Sequence, residues 1–242
     1  SLTDAEIMAR VAASSRLSTR SAIGSGLTDA VRVKWLARIA AFYHRAFMEQ
    51  PTGQNYLCKL RGIRNVELCK TFQIGLANGT LKDVLPRDEE AIEQLKSIGV
   101  LTRDGREFFA GCVVFPLWDV SGAIVNLVGR CIADSEADYL FLPGERRGLW
   151  NHQAANRSSS ILLTGSLIDT LTAVEHGLTD AMTCCTREGL NAEYLKLFAQ
   201  CGVKNVALAF TSDEAGRIGM QKIAAQLKEN GYAVATVTLP DG

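Results

Sequence analysis

Thr211-Ser212-Asp213-Glu214-Ala215-Gly216-Arg217 follows Asn205-Val-Ala-Leu-Ala-Phe210, and the junction between the two runs decides the fold. The first run is almost wholly apolar, as a strand buried on both faces must be. After the junction, Ile218, Ile223, Ala224 and Leu227 recur at helical spacing. The polar stretch is therefore the turn between a buried strand and a helix. A second unit of the same kind precedes it, with Ile161-Leu162-Leu163 as strand, Gly165-Ser166 as turn and Asp169 on the first helical turn. In α/β proteins ligand chemistry gathers at the carboxyl ends of such strands, so two acidic elements share one edge of one sheet.

Working outward, strands over 161–164, 180–184, 205–210 and 233–239 alternate with helices over 167–177, 191–201 and 213–230. Short connections between alternating elements imply a mainly parallel sheet flanked by helices. The chain before this region reads differently. Val31, Trp35, Ile39, Phe42 and Ala46 mark a helix over 31–48, ended by Gln50-Pro51-Thr52-Gly53. Shorter helices follow over 54–61 and from a cap at Asn65 to about Phe72. An amphipathic helix over 88–98 is closed by Gly99. Gly111-Cys-Val-Val-Phe-Pro-Leu-Trp118, a turn at Asp119–Gly122 and Ala123–Ile132 form a hairpin. Tyr139-Leu-Phe-Leu142 is a third strand, followed by Pro143-Gly144 and the basic pair Arg146-Arg147. The fold class is α/β: a linker or tail over 1–29, a mixed α+β subdomain over 30–158, and the parallel-sheet domain over 159–242.

Composition narrows the setting. With 242 residues and 47% hydrophobic content, the chain is long enough for real cores. It has no apolar run of membrane-spanning length and no signal peptide, which gives a cytoplasmic location. The seven cysteines show no Cys-x-x-Cys spacing and the three histidines are dispersed, so reduced buried thiols are expected and a zinc site within this stretch is not. Formal charge is zero, yet eleven Lys or Arg stand against five Asp or Glu up to Lys70, and fifteen against twenty-one after it. A basic front and an acidic back suit a polyanion surface beside a cation site.

Asp169 and Asp213, with Glu214 and Glu188 within reach, are the candidate ligands for Mg²⁺ or Mn²⁺, which prefer oxygen donors and bind phosphate at the same time. The same aspartates would also stabilise helix N-termini. Arg61 and Arg64 either touch phosphate or solvate a helix end, and Arg146 and Arg147 are candidates for backbone contacts. Trp35, Phe42 and Phe47 are expected in the core, not on a base-stacking surface.

Ser160-Ile-Leu-Leu-Thr-Gly165-Ser-Leu-Ile-Asp169 and Val206-Ala-Leu-Ala-Phe-Thr211-Ser-Asp213-Glu-Ala-Gly-Arg217 resemble the two signature segments of a Toprim domain, the metal-binding fold of bacterial-type DNA primases and topoisomerases. Upstream, Tyr56-Leu-Cys-Lys-Leu-Arg-Gly-Ile63, Phe72-Gln-Ile-Gly-Leu-Ala77, Val114-Phe-Pro-Leu-Trp-Asp-Val-Ser-Gly122 and Val128-Gly-Arg130 are similar to the conserved segments of the primase catalytic core. Tyr139-Leu-Phe-Leu-Pro-Gly144 and Gly148-Leu-Trp-Asn151 look most like primases of plasmids and mobile elements. The resemblance spans roughly residues 38–242. It implies a core that builds primers from nucleotide triphosphates on single-stranded DNA during replication. Asp169 and Asp213 would be catalytic and metal-binding, and Asp241 of Leu239-Pro-Asp-Gly242 would contribute to a third acidic cluster. Arg130, Arg146, Arg147 and Arg61 would lie on a basic track, with the template crossing a groove between the two parts. A replicative helicase and a zinc-binding module in the same or another chain are the implied partners.

Two family carboxylates are replaced: the glutamate four residues before Asp169 is Gly165, and the first aspartate of the Asp-x-Asp motif is Thr211. Each loss removes a ligand and a charge, so metal affinity should fall. With the third acidic cluster begun only at Asp241 and the family's amino-terminal zinc-binding module absent, the stretch looks like the core of a longer protein or a core that works with separate partners. Two alternatives stay open: a degenerate Toprim protein that binds nucleic acid or assists assembly without catalysis, and a Toprim nuclease.

Overall fold

The computed structural model describes residues 27–85, 88–133, 139–184 and 189–238. These form two compact units. The first holds the chain up to Leu60, Val66–Leu117 and Ala123–Arg146; the second holds Arg147 onward together with Arg61–Asn65 and Trp118–Gly122.

In the first unit, helix α1 (Asp29–Glu49) is capped by Thr28, whose hydroxyl accepts from the Val31 N–H. It packs on β1 (Gly75–Ala77) and β3 (Ile124–Cys131) through Leu36, Ile39, Ala40, Tyr43, Ala46 and Phe47. The buried stripe thus runs slightly to one side of the expected one. Phe47 is core, whereas Trp35 and Phe42 are half-buried at its margins, where Arg38 and Arg45 cover their rings.

The first helix ends at Glu49, as Gln50-Pro51-Thr52-Gly53 predicts, and Pro51 also starts α2 (Pro51–Asn55), where its fixed φ and missing N–H suit the first helical position. Gly53 is required there, because a Cβ would lie 2.6 Å from the Phe47 ring. The chain then widens into a π-helical turn, Tyr56–Leu60. Next come α3 (Val66–Thr71), β1, the short α4 (Leu81–Val84) and α5 (Glu89–Ile98). Asp88 caps α5, and Gly99 closes it at φ 91°, a left-handed conformation glycine accepts without strain. The first sheet has the order β1-β2-β3-β4, with β2 at Cys112–Trp118 and β4 at Leu140–Phe141.

In the second unit the segment from Arg147 packs into the parallel-sheet core, so the first residues of that unit precede the joint at Ser158. Trp118 and Leu149 exchange backbone hydrogen bonds of 2.9 and 2.8 Å. Ala154 and Ala155 of α6 (Gln153–Arg157) are buried against the sheet. The sheet has the order β6-β5-β7-β8, all parallel, built from β5 (Ser160–Thr164), β6 (Ala181–Thr183), β7 (Asn205–Phe210) and β8 (Ala233–Thr238). Helices α8 (Ala192–Cys201) and α9 (Glu214–Glu229) cover one face through Tyr194, Leu197, Phe198, Ile223 and Leu227. Beside α7 (Leu167–Glu175), the opposite face carries a groove of about 820 Å³ floored by Leu162, Ala207, Ala235 and Val237. No helix among the described residues is long and apolar enough to cross a membrane. Cys58, Cys69, Cys112, Cys131, Cys184 and Cys201 form no disulfides, and four of them are buried.

Candidate functional site

β5 and β7 are parallel neighbours, with Thr164 opposite Ala209. Their carboxyl ends therefore emerge side by side, and each runs through a short turn into a helix. After β5, Ser166 caps α7 by accepting from the Asp169 N–H at 3.1 Å, which places Asp169 on the first turn. A carboxylate there is favoured by the helix dipole. Asp169 is half-buried and borders the upper end of the sheet groove.

After β7, Asp213 is the cap of α9. Its Oδ1 accepts from the Gly216 N–H at 2.7 Å and from the Thr211 hydroxyl at 2.7 Å. Gly216 has no room for a side chain: a Cβ would stand 2.2 Å from the Thr211 carbonyl oxygen and 2.7 Å from Asp213 Oδ1. The glycine lets the turn fold back on its own cap. Arg217 donates to the Ser212 carbonyl at 3.0 Å, closing the loop from outside.

The two neutral positions have distinct surroundings. Gly165 sits beside β7, where a Cβ would meet the Phe210 ring at 3.1 Å. The contact is tight, but Gly165 is absent from the positive-φ positions, so its backbone does not demand glycine. Thr211 is exposed and donates to the carboxylate two residues on. An aspartate at that position could only accept.

Beneath the edge lies a buried hydroxyl layer that sequence patterning does not announce. The Thr164 hydroxyl meets that of Thr170 and donates to the Ser166 carbonyl at 3.0 Å, while the Tyr194 hydroxyl donates to the Thr183 carbonyl. These bonds hold the ends of β5 and β6 and the start of α7 in place. The serine three residues before Asp169 was the available sequence signal, since that spacing is the one an N-cap uses.

Among the described residues no three acidic, histidine or cysteine side chains gather in a metal-ligand cluster. Asp169 and Asp213 are brought to adjacent strand ends. Glu214 is exposed on the first turn of α9. Glu188 and Asp241 lie outside the described residues, as does most of the tail assigned to 1–29. Of the basic candidates, Arg130 and Arg146 belong to the first unit, where each guanidinium overlies an aromatic ring, Tyr139 and Phe141 respectively. Arg147 and Arg61 are half-buried and belong to the second unit, and Arg64 is exposed there. The Arg64 and Asn65 N–H groups donate to the Glu175 carboxylate, fastening the 61–65 segment to the end of α7.

Residues 42–146 match the family model for the N-terminal domain of the DNA primase catalytic core, and residues 162–242 match the Toprim-like model. The chain is 30% identical over 224 residues to a DNA primase of Staphylococcus epidermidis, covering 84% of this chain and 37% of that one. It is 26% identical to a DNA primase of Pasteurella multocida, covering 86% and 38%. The chain thus spans little more than a third of these relatives. Among solved structures, a DnaG catalytic core superposes with a TM-score of 0.75 at 21% identity, over 87% of this chain and 73% of that one. A DnaG primase catalytic domain bound to single-stranded DNA gives 0.70 at 22%, over 87% and 74%. At these identities the likeness bears on the fold, which is the mixed α/β architecture read from the sequence.

Proposed function

Because the chain belongs to the bacterial-type DNA primase family and matches the N-terminal and Toprim-like domains of its catalytic core, we propose that it binds single-stranded DNA and joins nucleotide triphosphates into short primers, using Mg²⁺ or Mn²⁺. The observation that carries this reading is the emergence of Asp169 and Asp213 from adjacent parallel strands at one sheet edge. Mg²⁺ is commonly bound through one or two carboxylates together with substrate phosphates, keeping several waters. Two aspartates fit that donor set.

Asp169, at a helix N-terminus, and the carboxylate of Asp213 would hold the cation. When bound, it supplies charge neutralisation at the triphosphate and lowers the pKa of the attacking 3′-hydroxyl. The protein's own part is positional. Ser166 and the Thr164–Thr170 hydroxyls fix the turn that carries Asp169, and Gly216 and Thr211 fix the one that carries Asp213. Arg130, Arg146, Arg147 and Arg61 are the residues we assign to template phosphates.

The test is incorporation of labelled nucleotides on single-stranded DNA with Mg²⁺ or Mn²⁺, comparing this chain with the Gly165→Glu, Thr211→Asp double variant. We expect incorporation that the double variant raises and Asp213→Asn abolishes. Silence in both forms, with DNA binding intact, would replace this reading with that of a binding or assembly subunit.

A further inference from the structure

Arg130 and Arg146 do more than present charge. Arg130 Cζ lies 5.1 Å from the centroid of Tyr139, and Arg146 Cζ lies 4.3 Å from that of Phe141. Both rings come from the β4 segment at the edge of the first sheet. In its register Val128 stands opposite Phe141 and Gly129 opposite Leu140. Side chains alternate along a strand, so Tyr139 and Phe141 share one face and Leu140 and Leu142 the other. Burial follows that division. The leucines are 4% and 2% exposed, while both rings are only partly buried.

Same-face neighbours on a strand lie roughly 6.6 Å apart, at about 3.3 Å per residue. That is close to the spacing of two steps along a stacked strand at about 3.4 Å each. Phosphate recognition alone needs no such rings beside the arginines. The arginine–aromatic couples on α1 are different in kind. They join residues three apart on a helix, and the Trp35 indole is held by donation to Gln94 at 2.7 Å.

We propose that Tyr139 and Phe141 form a stacking platform for successive unpaired bases, with Arg130 and Arg146 beside them on the adjoining phosphates. This rests on the reading of the chain as a single-strand-binding primase core and specifies how its first unit holds the strand: by base faces as well as backbone. Stacking of this kind tolerates any base, because every base has a π-face.

Fluorescence anisotropy of the whole chain with labelled oligo-dT, and with an abasic oligonucleotide of equal length, separates the two contributions. We expect the dT strand to bind more tightly. Replacing both rings (Tyr139→Leu, Phe141→Leu) should weaken dT binding roughly fivefold or more per ring, leaving abasic binding and the salt slope unchanged. Replacing both arginines with Gln should weaken both strands and flatten the salt slope. Phe141→Trp provides a readout that does not depend on the leucine variant folding: its added fluorescence should be quenched by dT and not by the abasic strand. Equal affinity for the two strands, or absence of that quenching, overturns the platform while leaving single-strand binding in place. No binding to either strand at low salt overturns the underlying reading together with the platform.

Discussion

Asp213 has two roles in this account, and substitution separates them. Its Oδ1 caps the sixteen-residue α9, whose Ile223 and Leu227 are fully buried in the second core. Asp213→Ala removes the cap oxygen and should cost about 1 kcal/mol, within a range of roughly 0.5–2. Asp213→Asn keeps an oxygen for the Gly216 N–H and gives up only the charge at the helix N-terminus, a loss of about 0.3–1 kcal/mol. Asn should therefore be the milder change in stability, recovering much of what Ala loses.

Activity should not follow that order. If the carboxylate binds the metal, Asn and Ala should both abolish nucleotide incorporation, since an amide lacks the charge that concentrates a cation. Urea unfolding and Mn²⁺-dependent incorporation on the same three proteins form the assay. An Asn variant that retains activity would remove Asp213 from the metal site. An Asn variant as unstable as Ala would show that the cap geometry contributes little to holding α9.

Gly216→Ala should destabilise by about 1–3 kcal/mol or prevent folding, because its Cβ meets backbone at 2.2 Å, while Gly165→Ala should cost under about 1 kcal/mol, since the Phe210 ring needs to yield only a few tenths of an ångström; chemical denaturation compares them. His152 is 6% exposed, and burial holds its imidazole below the ordinary value of 6.5 against the opposing pull of Asp119. The unfolded chain binds the proton more readily, so this stability is fully present above pH 6.5 and is lost as pH falls below it; His152→Leu should flatten the decline seen in urea midpoints between pH 7 and 5. β8 lies at the end of its sheet, with Val237 41% exposed beside the apolar groove. Val237→Lys should change stability by no more than about 0.5 kcal/mol in urea unfolding, because the side chain is exposed.

The parallel sheet was legible because its strands are continuous apolar runs and each helix start carries its cap in the sequence: Ser166 before α7, Asn191 before α8 and Asp213 before α9. Other features left weaker marks. The stripe of α1 was read one step off, because Trp35 and Phe42 are large and apolar yet lie under arginines at the edge of the buried face. Helix α6 is five residues long and follows Asn151 at φ 56°, so its sequence resembles a polar joint although Ala154 and Ala155 are buried. Pro51 marked the end of α1 correctly, while its second meaning, the first position of the short α2, left no separate signal. The stacking geometry at Tyr139 and Phe141 depends on what lies over the rings, and alternation alone supplies only their common face.

The neutral residues at the site bear on metal binding in different ways. Gly165 removes a carboxylate and leaves a space whose limit is the Phe210 ring, so a longer side chain can be restored there with modest repacking. Thr211 does more than remove a charge, because its hydroxyl donates to the oxygen of Asp213 that also receives the Gly216 N–H. A carboxylate that already receives two hydrogen bonds is stabilised without a cation. An aspartate at 211 would reverse this: it cannot donate, and it would set a second negative charge beside the first. The restored site should therefore be less stable without metal and gain more on binding it. By mass action that gain reaches about 2.7 kcal/mol at a hundred times Kd. Metal-dependent stabilisation that is larger in the double variant than in the unsubstituted chain would show that Thr211 lets the fold keep its cap with less reliance on the ion.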